Sequence, residues 1–231
     1  MPIITDKEFG TIALRRSSKA TSVKIRVAPN GELRASLPLY APTFFVKHLI
    51  NGSRSQLREL LSEHRKVSLQ FEDGMQIGKS HTLRVQTKAG KTQVSRHGQQ
   101  IVVSLSSQQQ LNDSAVAEQL RKTVIVALRV EAKSYLPKRL AFLANKYNYV
   151  YESVRFSHAG GRWGSCSSSG TISLNIALMK LPFELIDYVI IHELSHTKQL
   201  NHSRDFWKLV GSADPDYINH RRILKETSPS I

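Results

Sequence analysis

The sequence predicts an α+β chain, with a β-rich lobe over residues 1–112 and a helix-rich domain over residues 113–231. Three observations carry this. Short runs of alternating apolar and polar residues, separated by turn residues, dominate up to Leu105. Asn112-Asp113-Ser114 is a helix N-cap signal, and a long helical pattern follows it. Pro182 opens a second helical run, Leu185 to Leu194, that is apolar except for Asp187, His192 and Glu193.

Taken in order, Ile12 to Leu37 reads as short strands. Val23, Ile25 and Val27 alternate with Lys24 and Arg26, and Pro29-Asn30-Gly31 supplies a turn. Phe44 to Glu63 reads as a helix interrupted near Asn51-Gly52. Val67 to Leu105 returns to strands, with turns at Glu72-Asp73-Gly74, Ala89-Gly90 and His97-Gly98. The helix from Ser114 runs to about Ser134, is restarted or kinked by Pro137 and continues to about Tyr147. Thr171 to Leu178 is a clean strand pattern, Ile172, Leu174, Ile176 and Leu178 facing one way. No internal repeat stands out.

Composition narrows the function classes. At 40% hydrophobic residues the chain can bury a core, and no apolar stretch approaches the roughly 18 residues of a membrane span. The start of the chain lacks the basic and apolar segments of a signal peptide, and the single Cys166 has no disulfide partner. A cytoplasmic setting is therefore expected. The net charge of +15 is uneven: residues 1–155 hold 25 Lys/Arg against 11 Asp/Glu, and residues 156–231 hold 8 against 7. The positive field of the N-terminal lobe suits nucleic acid or another polyanion, while the region bearing the chemistry is nearly neutral.

That chemistry is His192-Glu193-Leu194-Ser195-His196. Two histidines four residues apart share one face of a helix and can share an ion. Glu193 is rotated by about 100° from His192 and reaches a metal-bound water without ligating. Polar residues inside an apolar helix are costly unless they have partners, so these three need a reason to be there. A catalytic zinc takes three protein ligands, and His202 is the best third, with Asp205, Asp214 and Asp216 ranked lower. The helix is expected to end near Leu200-Asn201, turning His202 back toward the ion. The His192, His196, His202 spacing equals that of metzincins, but Gln199 stands where those have glycine. The motif therefore points to another zincin-like branch.

The segments Arg162-Trp163-Gly164-Ser165-Cys166-Ser167, Ile172-Ser173-Leu174-Asn175, Leu181-Pro182, Tyr188 to His196, Asn201-His202-Ser203 and Phe206-Trp207 resemble the YgjP-like metal-dependent hydrolases. These are relatives of SprT-like and WLM-type zinc proteases. The resemblance is dense over residues 155–210 and looser elsewhere, at Gly74, Gly78-Lys79 and Pro215-Asp216-Tyr217. It implies a zincin-like catalytic domain behind a β-rich region. It also implies His192, His196 and His202 as zinc ligands and Glu193 as general base. Substrate is left open, since some members have been labelled nucleotide pyrophosphohydrolases.

Other residues are candidates beside these. Arg162 and Trp163 can line the cleft, the guanidinium holding a carboxylate or phosphate. The strand Thr171–Leu178 can pair with an extended peptide, with Asn175 on its polar face. Cys166 reads as structural. His158, His220 and Tyr217 are oxyanion candidates, whereas His48, His64, His81 and His97 receive no role. The leading expectation is a zinc-dependent metallopeptidase acting on a peptide or protein, with nucleic-acid contact through the basic lobe and no membrane partner. A nucleotide pyrophosphohydrolase is the alternative; it is disfavoured because phosphoryl chemistry usually recruits Mg²⁺ through oxygen ligands. A non-enzymatic binder with structural zinc has no need of Glu193.

Overall fold

The structure is a computed structural model that describes residues 2–18, 20–28, 32–67, 71–158 and 160–231, with the backbone alone over 63–67. The expected turn at Pro29-Asn30-Gly31 lies outside the described residues, as do Ser68 to Gln70. The chain divides into two compact units, Met1–Gln70 and Phe71–Ile231. Residue 112 falls inside the second unit, where its first sheet gives way to helix.

In the first unit, β1 (Ile3–Asp6), β2 (Gly10–Ser17), β3 (Lys24–Val27) and β4 (Leu33–Pro38) form a sheet in the order β1-β2-β4-β3. The central pair, β2 and β4, is parallel and the outer pairs are antiparallel. Ile4, Ile12, Leu14, Leu33, Ala35 and Leu37 point to one face. There α1 (Phe44–Gly52) and α2 (Arg54–Val67) cover them with Val46, Ile50 and Leu57. The break expected at Asn51-Gly52 is present, between α1 and α2.

The second unit opens with β5 (Gln76–Ile77), β6 (His81–Thr87), β7 (Gln93–His97) and β8 (Gln100–Leu105). Their order, β5-β6-β8-β7, with a parallel centre and antiparallel flanks, repeats the topology of the first sheet. No repeat is visible in the sequence because the core positions share only their apolar character.

Next comes α3 (Ser114–Lys146), one helix running through Pro137. Its buried stripe, Val116, Leu120, Val124, Leu128, Ala132, Leu136, Leu140 and Leu143, continues unbroken on both sides of the proline. Burial of that stripe holds the helix together where the proline removes one backbone hydrogen bond. Buried Glu131 on the same helix accepts hydrogen bonds from the backbone of Lys79 (2.7 Å) and Ser80 (2.8 Å) and from His81 Nδ1 (2.6 Å). This clamps the β5–β6 turn to α3. The turn needs Gly78, whose φ is +65° and where a Cβ would lie 2.2 Å from Glu131 Oε2.

A third sheet follows, β10-β11-β9, from β9 (Ser153–Ser157), β10 (Gly164–Cys166) and β11 (Thr171–Asn175). The strand is shorter than its alternation suggests. Asn175 Oδ1 accepts from the Ala177 amide (3.0 Å), and Ile176–Lys180 winds into a 3₁₀ turn, all of Ile176 to Met179 buried. Then come α4 (Phe183–Ser195), α5 (Arg204–Ala213) and α6 (Tyr217–Glu226). Among the described residues no helix is long and apolar enough to cross a membrane.

Candidate metal centre

The site is built on α4. Pro182 caps its start, and Leu185, Ile186, Val189, Ile190, Ile191 and Leu194 bury it. It ends at Ser195, earlier than expected, with His196 as its C-cap in helical conformation (φ −66°). That conformation keeps His192 and His196 on one face. A turn over residues 196–198 follows. Ser203 caps α5, its hydroxyl accepting from the Phe206 amide.

Ligand-capable nitrogens of His192, His196 and His202 lie within 4.8 Å of one another. His202 Nε2 is 3.1 Å from His192 Nε2. Two tetrahedral zinc–nitrogen bonds of about 2.1 Å put their nitrogens about 3.4 Å apart, so the spacing fits such an ion. His196 Nδ1 donates to the Gln199 carbonyl (3.1 Å), which leaves the Nε2 lone pair free for a metal. Burial, with the other two histidines adding to it, pushes the His192 pKa down to about 3, and burial lowers that of His196. Both are thus neutral and ready to ligate at neutral pH. All three rings pack on Phe206, which is wholly buried, with centroids 4.9, 4.5 and 4.8 Å away.

Glu193 is 6% exposed and its pKa is pushed up to about 8 by burial, opposed by Arg162. Its carboxylate lies against β10: a Cβ on Gly164 would be 2.6 Å from Glu193 Oε1. His192, Glu193 and His202 share a cavity of about 500 Å³ with Trp163, Gly164, Tyr188, Trp207, Arg221 and Lys225.

A family model described as YgjP-like, metallopeptidase domain, matches residues 21–227. The chain belongs to the YgjP-like metallopeptidase family. It is a metal-dependent peptidase of that family. Among solved structures it is similar to the metallopeptidase zymogen abylysin of Pyrococcus abyssi, at 28% identity over 39% of this chain and 92% of that one (TM-score 0.36). It is also similar to the zymogen jannalysin of Methanocaldococcus jannaschii, at 22% identity over 39% and 96% (TM-score 0.34). No curated protein matches.

The remaining residues of this YgjP-like site divide clearly. Asp205 pairs with Lys208 (3.1 Å), Asp214 accepts from His220 Nδ1 (2.7 Å) and Asp216 accepts from Asn219 (3.2 Å). None of these acids joins the histidine group. Trp163 lines the cavity and Arg162 is exposed beside it. Asn175 is wholly buried: its Nδ2 donates to the Arg162 carbonyl (2.9 Å) and its backbone amide to the Trp163 carbonyl (2.9 Å). It therefore holds the Arg162–Trp163 segment from behind. The expectation that a peptide pairs along Thr171–Leu178 is corrected by topology. β11 is the central strand, hydrogen-bonded to β9 and β10 on its two sides, so among the described residues the edge beside Glu193 that no strand pairs is that of β10.

Cys166 lies on that strand, its pKa raised by burial and then by Glu193. His158 is half-buried and is not among the cavity-lining residues. Tyr217 stacks on Trp207 (5.5 Å) and His220 packs against Tyr188 (6.0 Å). Sequence reading passed over Gly164, Phe206 and Tyr188 as working parts. Tyr188 was within reach, since it lies four residues before His192 on the same helix face.

Proposed function

We propose that this protein is a zinc-dependent peptidase in which His192, His196 and His202 hold the ion, Glu193 is the general base and substrate docks on β10. One observation carries the reading: three imidazole nitrogens converge beside a buried carboxylate that abuts a free strand edge. A zinc ion held there supplies Lewis acidity, lowering the pKa of water toward about 7 and polarising a substrate carbonyl.

The chain's own residues do the rest. An extended peptide adds to the edge of β10 through backbone hydrogen bonds, which brings its carbonyls past Glu193. Glu193 takes the proton of the attacking water on a carboxylate oxygen and delivers it to the leaving amine. Its buried surroundings keep the carboxylate basic, and Arg162 moderates that effect. Arg162 and Trp163 flank the substrate, and Asn175 fixes their backbone. Gln199 orients His196 through its carbonyl.

The test is a peptide-library digest read by mass spectrometry, run on zinc-loaded wild type and Glu193→Gln. Cleavage by wild type alone, with zinc retained in the variant, is the expected result. Equal cleavage by both removes Glu193 as base. Pyrophosphate release from nucleoside triphosphates with no peptide cut replaces the peptidase reading.

A further inference from the structure

The sheet of the first unit has a second face. Alternation buries Ile12, Leu14, Leu33, Ala35 and Leu37, so the opposite positions face outward. On β2 these are Thr11, Ala13 and Arg15; on β4, Arg34 and Ser36; on β3, Lys24 and Arg26; on β1, Ile3 and Thr5. Register sets them in rows. Ala13 pairs with Arg34, and Arg34 with Arg26; Arg15 pairs with Ser36, and Ser36 with Lys24. Arg15, Lys24, Arg26 and Arg34 are all exposed.

Three features of this face ask for an anion. Arg26 stands directly opposite Arg34 in an antiparallel pair, where like charges destabilise the sheet. Among the described residues none of the four cations is in an ion pair, although Arg54 and Arg58 of the same unit are tied to Asp6 and Glu8. No outward position of the four strands is acidic, and the unit as a whole holds 12 Lys/Arg against 5 Asp/Glu.

We propose that this outward sheet face is a docking surface for the phosphate backbone of duplex nucleic acid. Strand and residue spacings place the four cations over a patch of about 7 by 10 Å, from which their long side chains reach about four phosphates of the duplex. Ala13 and Ser36, lying between the long side chains, leave space for the phosphates to settle. No outward strand position is aromatic, so base stacking is not provided and contact is with the backbone, independent of sequence. The face uses no residue of the metal centre and stands apart from the peptidase reading.

Binding of a labelled short duplex to the full chain tests this. Four phosphate contacts give a log–log salt slope of about −3.6, and hence a loss on the order of 100-fold between about 50 and 200 mM salt. Arg26→Gln/Arg34→Gln weakens binding at least roughly tenfold and roughly halves the slope. The quadruple Ala variant at Arg15, Lys24, Arg26 and Arg34 abolishes it. Lys88→Ala/Lys91→Ala, on exposed residues of the second unit, removes as much charge as the double variant and leaves binding intact. A flat salt response overturns the proposal. So does an equal loss in the Lys88/Lys91 control, or phosphatidylserine vesicles being bound while the duplex is not.

Discussion

Gly164 and Glu193 occupy one another's space: the hydrogen on Gly164 Cα stands where any larger residue would put a carbon 2.6 Å from Glu193 Oε1 and 2.7 Å from its Cγ. The edge strand and the buried carboxylate are thereby locked in register. Gly164→Ala should move the carboxylate while leaving the three histidines alone. The expected outcome is a fall in kcat of roughly 10- to 100-fold with zinc stoichiometry unchanged, read by metal analysis beside a peptide assay. Full activity would mean that the carboxylate is free to shift.

Glu193→Gln separates base from ligand. Loss of a positioned base removes about 10²- to 10⁴-fold in rate, and the metal content should stay that of wild type.

The same variant has a pH signature in metal-free protein. Glu193 is pushed from 4.5 to about 8 on folding, so across that window the folded chain holds a proton that the unfolded chain has released. Stability from this group therefore falls as pH rises from 4.5 to 8. Glu193→Gln should stabilise the metal-free chain at pH 8 by on the order of 3 kcal/mol and by nearly nothing at pH 4.5. His192 acts the other way. Its folded pKa is lowered from 6.5 to about 3, so stability falls as pH drops through that range, and this acid limb should persist in the variant. Urea unfolding across pH checks both limbs.

Asn175 carries a different expectation from a substrate ligand. Asn175→Ala removes the donor to the Arg162 carbonyl and the acceptor for the Ala177 amide at a wholly buried position. It should cost about 1–3 kcal/mol in denaturant unfolding, where loss of a substrate contact alone would leave the midpoint unmoved.

Gly78→Ala tests the clamp between α3 and the β5–β6 turn. A Cβ at φ +65° and 2.2 Å from Glu131 Oε2 displaces the acceptor of several amide hydrogen bonds. The expected loss is about 2–4 kcal/mol, with zinc binding retained by whatever fraction is folded.

Much of this protein was legible from the chain alone, because the signals are local. His192 and His196 share a face through helical periodicity, Asn112-Asp113-Ser114 and Pro182 announce helix starts, and the Gly52 break and the strands up to Leu105 follow from short-range patterning. The choice of His202 over Asp205, Asp214 and Asp216 rested on residue chemistry, and the fold gives those acids other partners. Tertiary structure decided what depends on neighbours distant in sequence. Thr171–Leu178 alternates like a strand, yet stops at Asn175 because that amide caps a 3₁₀ turn. It cannot receive a peptide because β9 and β10 occupy both its edges. Asn175, expected to meet substrate from the strand's polar face, is a buried brace. Gly164 was one motif letter until α4 brought Glu193 against it. Strand pairing and close packing set these outcomes, and neither has a period that a single chain displays.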